Sequence, residues 1–270
     1  MKIGFIGSGN MGGAIARGIV KSSVVKGEEV FLYDVNPAAS EALARDIGGK
    51  AVKTAAELTD AAQIFVLAVK PVYVKDALRA CGDGLKDKAV VSIVAGLTGT
   101  ALARQLPAGA RCLQTMPNTP AMVNEGVTAL CEENTLTEEE MAFVRRMFES
   151  IGRVFVLPAR LIEAESAVAG SGPAYAAMFI EAMADGGVLL GLPRAQAMEM
   201  AAQTMIGTAK MMLESGRHPG AIKDMVCSPG GTTIEAVRAL EKGAFRSDVI
   251  EAVVAAGEKA LAIKRETEKG

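Results

Sequence analysis

The glycine-rich run after the first apolar segment constrains the fold more than any other feature of the chain. Residues 3–12 read IGFIGSGNMG, so Gly7, Gly9 and Gly12 follow a strand-like run in the GxGxxG-type spacing. In that spacing the first glycine permits a tight turn, the second lets a pyrophosphate approach the backbone, and the third lets a helix pack on the strand. The pattern predicts a Rossmann-like dinucleotide-binding fold. The alternative is a glycine-rich corner between a strand and a helix that binds no ligand.

Further residues that could contact a dinucleotide stand where strand-like runs end. Asp34 ends the second run, where its carboxylate can accept hydrogen bonds from the adenosine ribose and repel a 2′-phosphate. This position favours NAD, and the alternative is that Asp34 only caps the next helix. Residues 68–71 and 94–96 follow two later runs, at the edge where open α/β sheets bind ligands.

The two halves of the chain have different patterns. The first half alternates β-rich runs with helical segments, one of which opens with a capping box between Thr137 and Glu140, whereas the second half reads as helices alone. We therefore predict an α/β fold with an N-terminal Rossmann-like dinucleotide-binding domain over residues 1–157 and an all-α dimerisation and substrate domain over residues 158–270. The predicted strands are 2–7, 29–33, 63–69, 89–94, 111–115, 127–131 and 153–156. The helix start signals of the second half are Pro173, Pro193, Pro219, Thr232 and Ser247.

The first long helix of the second half requires burial on nearly all sides. Between residues 174 and 190 the charged residues are Glu181 and Asp185, which lie four apart on one edge. A small helical domain of this composition would otherwise expose a large apolar patch, so we expect a second subunit to cover it. The sequence thus predicts a homodimer and leaves open whether dimers assemble further.

Composition and charge argue against several classes of function. Lys and Arg (29) nearly balance Asp and Glu (31) and 4% of the residues are aromatic, so we expect no nucleic-acid partner. The uncharged stretches are too short and too interrupted to span a membrane, and the N-terminus does not resemble a signal peptide, so we expect a cytoplasmic protein. Cys81, Cys112, Cys131 and Cys227 are scattered and His218 is the one histidine, which predicts neither a disulfide framework nor a metal site.

Four segments of the chain together resemble one enzyme family. They are residues 5–12 (FIGSGNMG), 116–120 (MPNTP), 170–175 (GSGPAY) and 223–236 (KDMVCSPGGTTIEA), of which the last is the most specific. These segments resemble pyrroline-5-carboxylate reductase, the last enzyme of proline biosynthesis. The resemblance implies a Rossmann domain, a helical domain that interlocks two subunits, NADPH or NADH as cofactor, and reduction of the small molecule Δ1-pyrroline-5-carboxylate to L-proline.

The resemblance also implies which residues bind the cofactor and the substrate. It assigns the substrate to Thr232 and Thr233, with the Thr233 hydroxyl near the imine nitrogen as the catalytic residue. Asp34 stands where relatives that prefer NADPH often carry a small hydroxylated residue, and Ala55 stands where some relatives have an amide side chain. The predicted cofactor-binding residues are Ile6, Gly7, Ser8, Gly9, Asn10, Met11, Asp34, Ala68, Val69, Lys70, Pro71, Val94, Ala95 and Gly96.

The loop at residues 228–235 (SPGGTTIE) predicts a carboxylate site. It reads as a glycine-loosened loop that ends in a capping box between Thr232 and Glu235 and starts a helix. We expect the backbone N–H groups of Gly231, Thr232 and Thr233 to bind the substrate carboxylate at the positive end of this helix. A plain helix cap is the alternative.

Few other residues are candidates for chemistry. Asn118 and Thr119 lie in a proline-bracketed loop at a strand end, where we expect them to be walls or hydrogen-bond donors of the reaction cleft. His218 precedes Pro219 at a helix start and is expected to be a helix cap or a surface residue rather than a catalyst. A cyclic imine can arrive already protonated, so positioning can supply much of the rate without a general acid.

Two other functions remain open from the sequence. A β-hydroxyacid dehydrogenase shares the glycine-rich start and an all-α second domain, but its catalytic lysine should lie on the first long helix of that domain, and residues 161–190 contain no lysine. A non-catalytic dinucleotide-sensing regulator would bind the cofactor without turnover.

Overall fold

Apolar runs of four residues build the centre of an eight-stranded sheet. The structure, a computed structural model, describes residues 1–269. The strands are β1 (Ile3–Ile6), β2 (Val30–Tyr33), β3 (Lys50–Ala51), β4 (Ile64–Leu67), β5 (Ala89–Ser92), β6 (Arg111–Pro117), β7 (Gly126–Cys131) and β8 (Gly152–Leu157). Every residue of β1, β4 and β5 is buried, so both faces of these strands are covered, as is typical of a parallel sheet between helical layers.

The strand order is β3-β2-β1-β4-β5-β6-β7-β8. Strands β1 to β6 run parallel, β7 is antiparallel to β6, and β8 is parallel to β7. The order 3-2-1-4-5-6 is that of the Rossmann fold, and it reverses between β1 and β4, where such sheets open a crevice beyond the carboxyl ends of the strands. The predicted Rossmann-like fold is confirmed.

Twelve α-helices surround the sheet or follow it in the described chain. They are α1 (Asn10–Lys21), α2 (Pro37–Ile47), α3 (Ala55–Ala61), α4 (Val74–Cys81), α5 (Gly99–Ala103), α6 (Glu138–Glu149), α7 (Ile162–Glu165), α8 (Gly172–Leu189), α9 (Arg194–Ser215), α10 (Pro219–Val226), α11 (Thr232–Lys242) and α12 (Phe245–Lys269). Short 3₁₀ turns span Gly27–Glu29, Pro71–Tyr73, Gly82–Leu85, Thr119–Val123 and Ala159–Leu161, and a π-helical turn spans Ser166–Gly170.

Alternate residues of the strands enter two apolar clusters. Ile3 and Phe5 of β1 belong to one cluster with α1, α2 and α6, whereas Ile6 belongs to the other with α3, α4 and α5. In β4, Val66 joins the first cluster and Phe65 the second. Because successive side chains of a strand point to opposite faces, the two clusters are the two faces of the sheet.

The described chain divides into two compact units. One comprises residues 1–170 together with the chain from Ala256 onward, and the other comprises residues 171–255. After β8 ends at Leu157 the described residues form helices and turns, as the sequence indicated, and the all-α second half is confirmed. The first compact unit, however, ends later than the last strand, at Gly170. The residues between Leu157 and Gly170 pack against the sheet, since Ile162 belongs to the first apolar cluster. The domain boundary at residues 157–158 stays a prediction.

The second unit, residues 171–255, has a small core. Ala184, Ala197 and Ala201 are buried where α8 packs on α9, and the rings of Phe179 and Phe245 lie 5.5 Å apart. Much of its apolar surface is uncovered within the chain, as in Leu189, which is 88% exposed. Among residues 1–269, no helix has the length and hydropathy needed to cross a bilayer.

Most predicted strands are confirmed within a few residues, and one strand was missed. The strand β3 has two exposed residues and pairs only with β2, so it lacks the apolar run by which the other strands are recognised. The strand β8 begins one residue earlier than expected, at Gly152, and β6 extends two residues further, to Pro117.

A charged pair fixes α6 to the sheet. Thr137 and Glu140 form the predicted capping box, with Glu140 N donating to Thr137 Oγ1 at 3.2 Å and Thr137 N donating to Glu140 Oε2 at 2.9 Å. The Arg111 guanidinium of β6 donates to the same carboxylate from Nε at 2.8 Å and from Nη2 at 2.6 Å. These Arg111 hydrogen bonds are the main reason that the pKa of Glu140 lies below its ordinary value.

We expect Glu140→Gln to lower the free energy of unfolding at pH 7 by about 1–3 kcal/mol, because glutamine keeps a capping side chain but loses the charge that Arg111 binds. The exposed neighbour Glu139 provides the control, and Glu139→Gln should cost less than about 0.5 kcal/mol.

The same pair predicts a pH dependence. Since the folded-state pKa of Glu140 is lowered, its stabilisation is complete above the ordinary glutamate pKa and is lost as the pH falls through the folded-state value. Urea unfolding of the wild type and of Glu140→Gln should therefore converge in acid. A stability difference that persists unchanged to about pH 3 would contradict this assignment.

Candidate functional site

The sheet topology brings the sequence-predicted residues of the first unit to one edge. Strands β2, β1, β4, β5 and β6 are neighbours and parallel, so their carboxyl ends lie side by side. In that order they carry Asp34, Gly7, Ala68, Val94 and Asn118 directly or shortly after the strand ends. This is the edge at which open α/β sheets bind ligands.

A cavity of 440 Å³ lies in the crevice at the carboxyl ends of β1, β2 and β4. Its volume is in the range of sites that bind small molecules. Seven predicted cofactor residues line it: Ile6, Gly7, Gly9, Asp34, Ala68, Val69 and Lys70. The other lining residues are Tyr33, Val35, Tyr73, Asp76, Ala77 and Ala80.

The three glycines of the motif have the three geometries that the spacing predicts. Gly7 has a φ of 102°, and a Cβ on it would lie 2.5 Å from the Ala68 carbonyl oxygen. A Cβ on Gly12 would lie 2.9 Å from the Gly7 carbonyl oxygen. By contrast, no described atom lies within 4 Å of a Cβ built on Gly9. The backbone is therefore closely packed at the first and third glycines and open to a ligand at the second.

The loop between β1 and α1 fits an anionic group. The first turn of α1 holds no acidic residue, and its N-cap Gly9 has no side-chain cap, so the N–H groups at the positive helix end are not taken up by a capping side chain. The Ser8 hydroxyl is buried and lacks a hydrogen-bond partner among residues 1–269. A dinucleotide pyrophosphate would supply acceptors for both, so the residues present fit this cofactor.

Asp34 is held between the glycine-rich loop and the turn after β2. Its Oδ2 accepts from Ser8 N at 2.7 Å, and its Oδ1 accepts from Asn36 N at 2.9 Å. The carboxylate thus lines the cavity and supports the turn before α2, but it does not cap that helix, whose N-cap is Asn36 without a side-chain cap. The contact of Asp34 with the ribose stays a prediction.

One wall of the cavity was missed by the sequence analysis. Tyr73, Ala77 and Ala80 lie on α4 or immediately before it and face the cavity together with Asp76. Residues spaced by four and three positions share a helix face, so this spacing, a few residues after β4 ends at Leu67, was the available signal.

Residues 94–96 form a tight turn at the end of β5, one strand beyond β4 in the sheet. Leu97 N donates to Val94 O at 3.2 Å, and Gly96 has a φ of 76°, which suits the third position of a type II turn. Val94 N donates to Ser92 Oγ at 3.2 Å, which ties the turn to its own strand.

Asn118 holds two segments of the first unit together. Its Oδ1 accepts from Val127 N at 2.8 Å and its Nδ2 donates to Ala169 O at 2.9 Å, and the residue is buried. Thr119 begins the short 3₁₀ turn that follows. These contacts give Asn118 a structural role, while its expected part in the reaction cleft, and that of Thr119, stay predictions.

Glu165, which the sequence analysis did not single out, is a buried carboxyl at the end of α7. Neither carboxylate oxygen has a hydrogen-bond partner in the described part of the chain, and burial raises its pKa to about 7. It precedes the π-helical turn whose residue Ala169 accepts from Asn118.

In the second unit, the predicted carboxylate site is the start of α11. Gly231 is the N-cap, with extended backbone angles of −78° and 172°, and Thr232 and Thr233 are the first helical residues. The capping box between Thr232 and Glu235 is wrong, because Thr232 already has helical geometry and Glu235 instead accepts from Arg238 Nε at 2.9 Å. With no side-chain cap, the first N–H groups of α11 are more available to a ligand than expected.

The remaining sequence expectations concern His218 and metals. His218 Nδ1 accepts from Gly220 N at 3.1 Å at the start of α10, so its predicted capping role is confirmed. No group of three or more potential ligands that could hold a metal ion occurs among the described residues.

Comparisons with known proteins agree with this geometry. A family model described as pyrroline-5-carboxylate reductase dimerisation matches residues 159–263, and one described as NADP oxidoreductase, coenzyme F420-dependent, matches residues 2–96. The chain is 48% identical to the pyrroline-5-carboxylate reductase of Escherichia coli (strain K12) over 259 residues, or 96% of each chain. The chain belongs to the pyrroline-5-carboxylate reductase family.

Solved structures support the same assignment. The Plasmodium falciparum pyrroline carboxylate reductase with NADP bound is 31% identical, with a TM-score of 0.88 over 98% of each chain. The pyrroline-5-carboxylate reductase of Coxiella burnetii is 29% identical, with a TM-score of 0.90 over 97% of this chain and 98% of the other. The predicted family, fold class and enzyme class are confirmed, and the chain is an NAD(P)-dependent oxidoreductase.

The position of Asp34 predicts cofactor preference. We expect Asp34→Ser to shift the ratio of kcat/KM values towards NADPH over NADH by about 1–2 kcal/mol, because a carboxylate at the ribose edge repels a 2′-phosphate. Asp34→Asn removes the same charge but keeps an acceptor for Ser8 N, so it should give the same shift with a smaller loss of affinity for both cofactors. An unchanged ratio in both variants would show that Asp34 does not reach the ribose.

Proposed function

We propose that the chain reduces Δ1-pyrroline-5-carboxylate to L-proline with NADPH or NADH, the last step of proline biosynthesis. The observation that carries this proposal is the 48% identity, across 96% of the chain, to a reductase named for that substrate. The test is oxidation of NADPH and of NADH on addition of pyrroline-5-carboxylate. A folded chain that binds the cofactor but oxidises neither would favour the dinucleotide-sensing regulator instead.

In this proposal the first unit holds the cofactor at the carboxyl edge of the sheet. The loop at residues 6–11 and the start of α1 bind the pyrophosphate, Asp34 contacts the ribose, and residues 94–96 lie beside the nicotinamide. Residues 68–71, from Ala68 to Pro71, form the adjoining wall. When bound, the reduced nicotinamide supplies a hydride to the imine carbon.

The start of α11 is proposed to bind the substrate carboxylate. The free donors are the uncapped N–H groups of Thr232 and Thr233, at the positive end of an 11-residue helix, because the N–H group of Gly231, also expected to be a donor, is already bonded within the loop. Gly230, with a φ of 68°, permits the turn that presents them, and Gly231 N donates to Ser228 O at 3.0 Å. This arrangement orients the substrate by its anionic group without a lysine or arginine.

Thr233 is the proposed partner of the ring nitrogen. Its hydroxyl belongs to the same residue as the last of the carboxylate-binding amides, so the carboxylate of a small cyclic substrate can be held while its ring nitrogen is hydrogen-bonded. Because the imine can arrive protonated, Thr233 has to orient and accept a hydrogen bond rather than supply a proton. Asn118 and Thr119, in the first unit, are proposed as walls or hydrogen-bond donors of the reaction cleft.

We expect Thr233→Val to lower kcat/KM for pyrroline-5-carboxylate by about 10- to 100-fold, because it keeps the shape but leaves the substrate N–H unpaired, a loss of about 1–3 kcal/mol. Thr233→Ser keeps the hydroxyl and serves as the control, with much of the activity retained. Cofactor affinity should barely change in either variant. Full turnover in Thr233→Val, or an equal loss of cofactor binding, would contradict the assignment.

We also propose that the chain acts as a cytoplasmic homodimer formed through the second unit. The matching family model is one of dimerisation, and α8 and α9 expose apolar side chains such as Met178 (69%), Leu189 (88%) and Met200 (54%). Apolar exposure on this scale is typical of a surface covered by a partner.

Sedimentation should give a species of at least twice the 28.0 kDa chain mass at micromolar concentration. Met178→Glu would place a charge in the proposed interface and shift the chain towards monomer. The exposed Arg45 of the first unit provides a control, since Arg45→Glu should leave the mass unchanged. A stable wild-type monomer would contradict the dimer.

A further inference from the structure

The end of the C-terminal helix packs against the 94–96 turn. In the first unit, Ile263 of α12 lies so close to Gly96 that a Cβ built on this glycine would be 2.8 Å from Ile263 Cγ2. Thr267 follows on the same helix face, with its Oγ1 3.8 Å from that Cβ position. The backbone of the turn thus lies directly against two side chains that are remote from it in sequence.

A partly buried ion pair anchors this end of α12 on its other side. Lys264 Nζ donates to Glu163 Oε2 at 3.0 Å and to Ala159 O at 3.4 Å. The Lys264 side chain is 19% exposed and the Glu163 side chain is 8% exposed. Ala159 N in turn donates to Glu133 Oε2 at 2.7 Å. The C-terminal end of α12 is therefore bonded to the segment that follows β8, and through it to the segment that follows β7. On the same helix end, Ile263 contacts the turn after β5.

The turn is held to the sheet at both ends, through Ser92 at its beginning and through Leu97, which is buried in the second apolar cluster, whereas Gly96 between them has no side chain to hold it. Ser92 holds Val94 through its Oγ, and Ser92 O accepts from Thr115 Oγ1 at 2.9 Å. The backbone of Gly96 tolerates a wider range of angles than that of other residues. Contact with Ile263 limits that freedom.

We propose that Ile263 is a positioning residue for the reaction, holding the 94–96 turn in the shape that receives the nicotinamide ring. The inference rests on the proposed assignment of residues 94–96 to the nicotinamide. Hydride transfer depends on the placement of the ring to a fraction of an ångström, so a loosened turn slows the chemical step more than it weakens binding of the rest of the dinucleotide.

The variants Ile263→Ala and Ile263→Val separate this role from general packing. Valine keeps a Cγ2 atom at the position that contacts Gly96, whereas alanine removes it. Because Ile263 is 40% exposed, its truncation should leave the chain folded. We expect kcat to fall about three- to tenfold in Ile263→Ala and to stay within about twofold of wild type in Ile263→Val, with KM for pyrroline-5-carboxylate nearly constant in both.

Binding of ADP-ribose, which lacks the nicotinamide, completes the test. Its affinity should be the same in wild type, Ile263→Ala and Ile263→Val, while the affinity for NADH falls in Ile263→Ala alone. An unchanged kcat and NADH affinity in folded Ile263→Ala, or an equal loss of ADP-ribose and NADH affinity, would overturn the inference. If wild type does not turn over pyrroline-5-carboxylate, the proposed function fails, and the two binding measurements still decide the role of Ile263.

Discussion

The close approach of the Gly7 backbone to Ala68 is the constraint on which the cavity at the carboxyl edge of the sheet depends. The turn out of β1 passes within contact distance of the residue that follows β4, and a side chain at Gly7 would collide with the Ala68 carbonyl. Only a residue without a Cβ lets the two neighbouring strands end side by side while their connections leave on opposite faces. The crevice, the free end of α1 and the cavity all follow from that contact.

Backbone groups provide most of the chemistry that the site requires. The glycine-rich loop and the start of α11 both present N–H groups at uncapped helix ends, in two different units of the chain. Such groups are fixed by secondary structure and lose no side-chain entropy when they bind an anion. In the proposed function, these groups let an oxidoreductase with one histidine, itself used as a helix cap, bind an anionic cofactor and an anionic substrate.

The sequence predicted those parts of the fold that depend on local pattern. Continuous apolar runs identified the central strands, and the box at Thr137 and Glu140 was recognised because both side chains act within one turn. The similar pattern at Thr232 and Glu235 misled, because the choice of N-cap there depends on the backbone of Gly231, which no side-chain pattern reveals. The contact between Gly96 and Ile263 joins residues far apart in sequence, so it could be found only from the folded chain.

The apolar exposure of α8 and α9 has a consequence for how stable this protein is in practice. The buried apolar residues of this unit are Ile222 and three alanines, so in the proposed homodimer it gains much of its burial from association. By mass action, its resistance to heat then becomes a property of chain concentration as well as of sequence. A newly made chain at low concentration would therefore unfold at a lower temperature than the same chain at a concentration at which most copies are assembled.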